Sequence, residues 1–238
     1  MENAIISADI ISSTSLTEDE LALLSKRIKE TFVLLENKYN KDDIHFFGRL
    51  IKGDYIECYL KNPSNALRVA LVIKSIVKSF IINDTLEKES RKKKLFKQYG
   101  IRMAVGIGKM RTLNFNEGIM DGEAIYLSGR KISEQKNYNK AKITIKNTFF
   151  FETKDVELTE RFSVIFGLLD RLFVSMTVRQ SEVLYYKLQD VGEQEIAQKL
   201  KTSQSSVNQH STALGWNIIE QAIKYYEQTE LSYQMPAN

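Results

Sequence analysis

Residues 176–216 constrain the chain most sharply, because their caps, breaks and apolar spacing admit only a run of short helices. Thr177 stands three residues before Gln180, the spacing of a capping box. Val183, Leu184 and Leu188 then fall on one helical face. Gly192 breaks that run. Ile196, Ala197 and Leu200 give a second buried stripe, with Ala197 small enough for two helices to approach closely. Ser203 is placed to cap a third helix, whose apolar anchor is Val207. The link between the second and third helices, Lys201-Thr202, is as tight as a helix-turn-helix needs. Gln204, Ser205, Asn208 and Gln209 then face outward. Their amides and hydroxyls can exchange hydrogen bonds with base edges and phosphates. Two uses remain open: DNA binding through Ser203, Gln204, Ser205, Asn208, Gln209 and His210, or protein contact by a small helical bundle.

The stretch resembles the helix-turn-helix of LuxR-type regulators and sigma-factor domains. The matching residues are Thr177, Arg179-Gln180 and Glu182-Val183-Leu184, then Glu195-Ile196-Ala197 with Leu200, then Ser203, Ser206-Val207 and His210. The resemblance implies DNA as partner, and a homodimer, since one reading helix covers one half-site. His210 sits at that family's histidine position, as a helix-packing or phosphate-contacting residue rather than a catalytic base. The charge of the region is less favourable. Residues 176–238 carry five basic and seven acidic side chains, a net of −2. DNA binding would therefore need dimerisation or help from the basic residues between Lys88 and Lys97. Those basic residues read first as a solvated loop or helix end, and second as a phosphate-contacting patch.

At 238 residues the chain can form one large domain or two small ones. Two prolines and eleven glycines favour long regular elements. The single cysteine, Cys58, excludes an internal disulfide and a zinc site of clustered cysteines. A net charge of +4 permits nucleic-acid binding without arguing for it. The start of the chain shows no signal-peptide pattern. Its longest apolar stretch, 66–82, is interrupted by Arg68, Lys74 and Lys78. A cytoplasmic protein with no membrane partner is expected.

Before the helix-turn-helix the pattern reads β-α-β-β-α-β-α-β. Strands are expected over 3–9, 44–51, 55–60, 101–107 and 141–148. Helices are expected near 17–39, 64–82 and 121–133. Lys52-Gly53-Asp54 marks a hairpin turn. The βαββαβ core of this order is ferredoxin-like, with three apolar helices expected on one face of a mostly antiparallel sheet. The fold class is thus α+β followed by an all-α unit. The divisions are an α+β domain over 1–152, a connecting helix over 153–175, the helix-turn-helix over 176–230 and a tail over 231–238. The connecting helix either packs the last unit on or forms a dimer interface. Trp216 anchors the closing helix.

Asp9 ends the first strand, and Asp54 lies in the hairpin that neighbours it in a ferredoxin-like sheet. Two carboxylates with a nearby backbone carbonyl suit Mg²⁺ and a polyphosphate. Asp9-Ile10 and Gly53-Asp54 resemble the metal-holding motifs of class III nucleotidyl cyclases. Residues 101–108 resemble that family's following strand, and 125–130 its helix. The resemblance makes Asp9 and Asp54 metal ligands and Arg130 the arginine that stabilises transition-state charge. Departures are plain: Tyr126 replaces the catalytic asparagine, and Leu50 and Ile119 replace the lysine and acid that read the purine. A closer resemblance, over about 3–135, is to the SatD-like family. It rests on Ala8-Asp9-Ile10, Gly53-Asp54, Ile101-Arg102, Gly106, Gly108, Thr112, Asp121-Gly122-Glu123-Ala124 and Arg130. Asp121, Arg102 and Arg130 are the remaining ligand-binding candidates, for a nucleotide or another anion. Arg102 and Arg130 pairing with Asp54 or Asp121 in structural ion pairs is the competing reading. His45, beside Asp42 and Asp43, reads as structural. Overall the expectation is a DNA-binding transcriptional regulator with a non-catalytic ligand- or metal-binding first domain. The alternative is a divergent metal-dependent cyclase or phosphotransfer enzyme with a regulatory helical C-terminus, and a third is a scaffold without ligand.

Overall fold

The computed structural model describes residues 2–82, 90–137 and 147–231. Its strands are β1 (Asn3–Ile10), β2 (Phe46–Ile51), β3 (Tyr55–Leu60), β4 (Ile101–Gly108), β5 (Met110–Asn114), β6 (Ile119–Gly122) and β7 (Phe149–Glu152). Its helices are α1 (Glu18–Tyr39), α2 (Ala66–Lys78), α3 (Arg91–Tyr99), α4 (Glu123–Asn137), α5 (Val156–Ser175), α6 (Val178–Lys187), α7 (Glu193–Lys199), α8 (Gln204–Ala213) and α9 (Trp216–Gln228). The main sheet runs β2-β3-β1-β4-β7. Its first four strands have the ferredoxin-like order and are antiparallel; β7 adds parallel to β4. The fold is mixed α+β with a helical C-terminal region.

Strand alternation explains the layers. Ala4, Ile6, Ala8 and Ile10 share a core with Ile56, Cys58 and Leu60 of β3 and Met103, Val105 and Ile107 of β4. Leu24, Ile28, Phe32 and Leu35 of α1 and nearly all of α2 close that face. The opposite face carries Ile5, Ser7, Ala104 and Gly106 and is covered by α4. A side chain at Gly106 would meet the Ala124 carbonyl and, at 2.8 Å, the Ser128 nitrogen. Ser7 and Ser128 hydroxyls lie 2.8 Å apart. The expectation of three apolar helices on one face is thereby corrected: the third lies behind the sheet, because β4 carries a small-residue surface there.

Four other differences have local causes. The strand expected over 141–148 lies largely outside the described residues; β7 is the aromatic run after it. Asp121 begins no helix: Asp121 and Gly122 end β6, and α4 starts at Glu123. The β5–β6 hairpin and α3 were absent from the expected order. In α3 only Phe96 is buried, and it meets Phe80 edge-on at 6.4 Å.

The C-terminal helices dock by aromatic packing. Phe149 and Phe166 lie 4.3 Å apart, Phe151 and Phe162 5.1 Å, and Phe162 and Tyr226 5.0 Å. Each such buried ring contributes about 1.5–3 kcal/mol relative to exposure. One apolar cluster therefore runs from β1 through α5 to α9. The Tyr185 and Thr31 hydroxyls meet at 3.2 Å, and Arg68 donates to Glu227 at 2.7 Å. No described helix is long and apolar enough to cross a membrane.

Candidate nucleic-acid interface and acidic loop cluster

The short helices form where caps and stripes place them. Thr177 and Gln180 make both bonds of the capping box, and the Ser203 hydroxyl accepts from Ser206 N at 3.1 Å. The turn between α7 and α8 is a Schellman closure. Thr202 N donates to Ala197 O at 2.9 Å, Lys201 N to Gln198 O at 3.2 Å, and Lys201 is left-handed with φ 51°. Val207 is buried beneath α8. Ser203, Gln204, Ser205, Asn208 and Gln209 are exposed, and His210 is half-buried. The four exposed positions on α8 recur at i, i+1, i+4 and i+5, so they share one face.

Charge around that face is mostly spent internally. Arg179 pairs with Glu182, Lys187 with Glu193, Lys199 with Glu195 and Lys224 with Glu220. Asn208 is 3.5 Å from Glu193. Lys201, exposed at the turn, makes no ion pair among the described residues. Within α3, Lys92, Lys93 and Lys94 likewise have no ion pair among the described residues.

At the other site, Asp9 stands opposite Tyr55 and Arg102 across the sheet. Arg102 Nη1 is 3.8 Å from Asp9 Oδ2. Arg102 is buried, and its Nε has no hydrogen-bond partner among the described residues. The Lys52-Gly53 turn has φ of 52° and 85° and brings Asp54 O to Ile10 N at 2.9 Å. Ser13, in the loop after β1, donates to Asp54 Oδ2 at 3.0 Å. Asp9, Arg102, Asp54 and Ser13 therefore gather at one end of the sheet.

Asp121 does not join them. It neighbours β5, which follows the far end of β4, about 20 Å along the strand from Arg102 at ~3.3 Å per residue. Arg111 Nε donates to Asp121 Oδ2 at 2.7 Å and the Tyr126 hydroxyl to Oδ1 at 3.0 Å. The Arg111 bond first, then Tyr126, holds the Asp121 carboxyl below its usual range. Arg130 is exposed one turn beyond Tyr126 and has no ion pair among the described residues. The structural ion pairs are thus Arg102 with Asp9 and Arg111 with Asp121, not Arg102 or Arg130 with Asp54 or Asp121. Among the described residues no three His, Cys, Asp or Glu side chains form a metal cluster. The donor set of Asp9, Asp54 and a backbone carbonyl, beside Arg102, suits a Mg²⁺ arriving on a polyphosphate better than a lone cation.

Ser13 and Arg111 escaped the motif reading, and Lys201 figured in it only as part of the link between two helices. The polar run Ser12-Ser13-Thr14-Ser15 directly after Asp9-Ile10 was the signal for the first.

Fold and site define a mixed α+β protein: a five-stranded, mostly antiparallel sheet continuous with a helical C-terminal region. No family model and no curated protein matches the chain. Two solved structures align with 63% of it at 15% identity, both described as bacterial light-regulated adenylyl cyclases. The first has a TM-score of 0.39 with 74% of that chain covered, the second 0.36 with 43% covered.

Proposed function

We propose that this chain is a DNA-binding regulator whose α+β region holds an anionic ligand without turning it over. One observation carries the reading. Gln204, Ser205, Asn208 and Gln209 form an exposed amide and hydroxyl face on α8, directly after a tightly closed turn. A helix lying in the major groove presents such groups to base edges, with its N-terminal residues leading. Lys201 at the turn adds an unpaired phosphate contact. Because neighbouring cations are internally paired, affinity should come from two copies acting together. The test is a salt titration of duplex binding by the full chain. Binding should appear at low salt and weaken with salt, and Gln204→Ala with Asn208→Ala should remove preference between sequences. Absent binding at low salt, or a double variant indistinguishable from the parent, defeats the proposal.

The ligand end is read from Asp9, Asp54, Ser13 and Arg102. Asp9, Asp54 and the Ile10 carbonyl would hold a Mg²⁺, which would neutralise polyphosphate charge. Arg102 would meet an anionic oxygen of the ligand. Catalysis is the second reading. Tyr126 is tied to Asp121, Leu50 and Ile119 offer no hydrogen bond to a base, and Asp121 lies far from Asp9. Equilibrium dialysis of ATP and GTP with Mg²⁺, followed by product chromatography, separates the two readings. Binding without product, lost in Asp9→Ala and Asp54→Ala, supports a sensor; product formation supports an enzyme.

A further inference from the structure

We infer that the chain self-associates as a two-fold dimer through the apolar face shared by α5 and α9. Ile165, Leu168, Leu172, Ile218, Ala222 and Tyr225 line a groove of about 320 Å³ between these helices. Leu168 is 65% exposed, Ile218 61% and Tyr225 45%, and Val164, one turn before Leu168, is 63% exposed. Scattered single hydrophobes need no explanation, but a contiguous apolar groove on two adjacent helices does.

Size and charge both favour a second copy as occupant. Aliphatic side chains contribute about 60–120 Å² each and a tyrosine about 150–250 Å². At the observed exposures, with the half-buried groove residues added, the face offers roughly 300 Å² of apolar surface. A standard interface buries about 800 Å² per partner, and homodimer interfaces are about 65% apolar. The face therefore supplies most of the apolar centre, and its polar surround the rest.

That surround is neutral. Of the five acidic residues on these two helices, Asp170 and Glu227 are paired with Lys74 and Arg68 of α2, and Glu157, Glu160 and Glu220 are matched by Arg161, Arg171 and Lys224. Two pairs are internal, Arg161 with Glu157 at 2.7 Å and Lys224 with Glu220 at 3.2 Å. An isologous contact sets a surface against itself, so any net charge would be doubled across the axis; here there is none to double. A polyanion finds no net attraction on this face.

The consequence for α8 is geometric. α9 follows α8 through Gly215 alone beyond the C-cap Leu214, so pairing across α9 carries two α8 helices in one particle. Half-site reading needs that arrangement. The dimer stands on the apolar face itself; only its use in half-site reading rests on the DNA-binding proposal.

Sedimentation equilibrium of the full chain at micromolar concentration tests the inference. The parent should be a dimer. Leu168→Glu and Ile218→Glu should each weaken it by at least about thirtyfold, the size of an interface hot spot, with far-UV circular dichroism unchanged. Val33→Glu, at an exposed apolar position on α1, should leave it intact. If a glutamate variant unfolds, Leu168→Ser combined with Ile218→Ser gives the same readout. A monomeric parent, a larger assembly, or a dimer indifferent to these changes overturns the inference, as does equal disruption by Val33→Glu. Duplex binding measured on the same samples keeps the two ideas apart: a dimer that ignores DNA defeats the regulator reading and leaves this one standing.

Discussion

Replacing Asp170 by alanine should unfold the chain more readily than almost any other single change. Lys74 of α2 and Asp170 of α5 are 1% and 3% exposed, in the seam that joins the sheet to the C-terminal helices. Lys74 Nζ lies 3.1 Å from Asp170 Oδ1, and donates to Thr148 Oγ1 at 2.9 Å and Ile101 O at 3.2 Å. Asp170 also accepts from Thr148 N at 2.5 Å and from Thr148 Oγ1 at 2.6 Å. The ammonium further faces the rings of Phe149 and Phe173. Burial pushes the Lys74 pKa down, and Asp170 opposes that. Without Asp170 the remaining acceptors are neutral and the Thr148 N–H loses its partner. Breaking a buried pair from one side costs about 3–5 kcal/mol. Removing both charges is a different perturbation. Lys74→Met with Asp170→Leu should recover most of the loss, because well-packed apolar replacements of buried pairs are often neutral or stabilising. Urea unfolding of both single variants and the double variant measures this, with an unchanged m-value showing that only stability moved. A loss under about 1 kcal/mol for Asp170→Ala, or a double variant as unstable as the sum of the singles, would refute the reasoning.

Two further predictions concern other local devices. Lys78 donates to the carbonyls of Lys97 and Gln98, yet burial first and then Lys74 lower its pKa from 10.5 to about 8. Below about 8 both states hold the proton; between about 8 and 10.5 only the unfolded chain does, so unfolding free energy should rise with pH there and Lys78→Met should flatten that rise. Lys201→Gly should stabilise the fold by about 0.5–1 kcal/mol by relieving a left-handed residue in the Schellman turn. The same variant should weaken duplex binding at low salt; thermal unfolding and the salt titration read the two effects separately.

The parts that were legible in the sequence share a physical property: their signal is local. Thr177 with Gln180, Ser203, and the stripe around Val207 define helix ends within a few residues, and the structure makes those caps. Gly53-Asp54 and Asp9 were legible because a turn residue and a strand end bring them together in one register. The β5–β6 hairpin was not legible, since β5 has no buried residue and so no alternation. α3 was hidden because one arginine and four lysines around one buried Phe96 look like a solvated loop. α4 was legible as a helix, but not its side of the sheet, which depends on the long-range clearance at Gly106. Lys74 looked like a break in an apolar run. Its burial follows from a partner nearly a hundred residues away, which no local pattern reports.

Selection of bound fragments from a random duplex library by the full chain tests most directly whether α8 reads duplex DNA, as proposed. Enrichment of paired half-sites about one helical turn apart, about 10 base pairs, is expected, as is its loss in Gln204→Ala with Asn208→Ala. A selected pool no different from the input at low salt, or enrichment that survives the double variant unchanged, would contradict it.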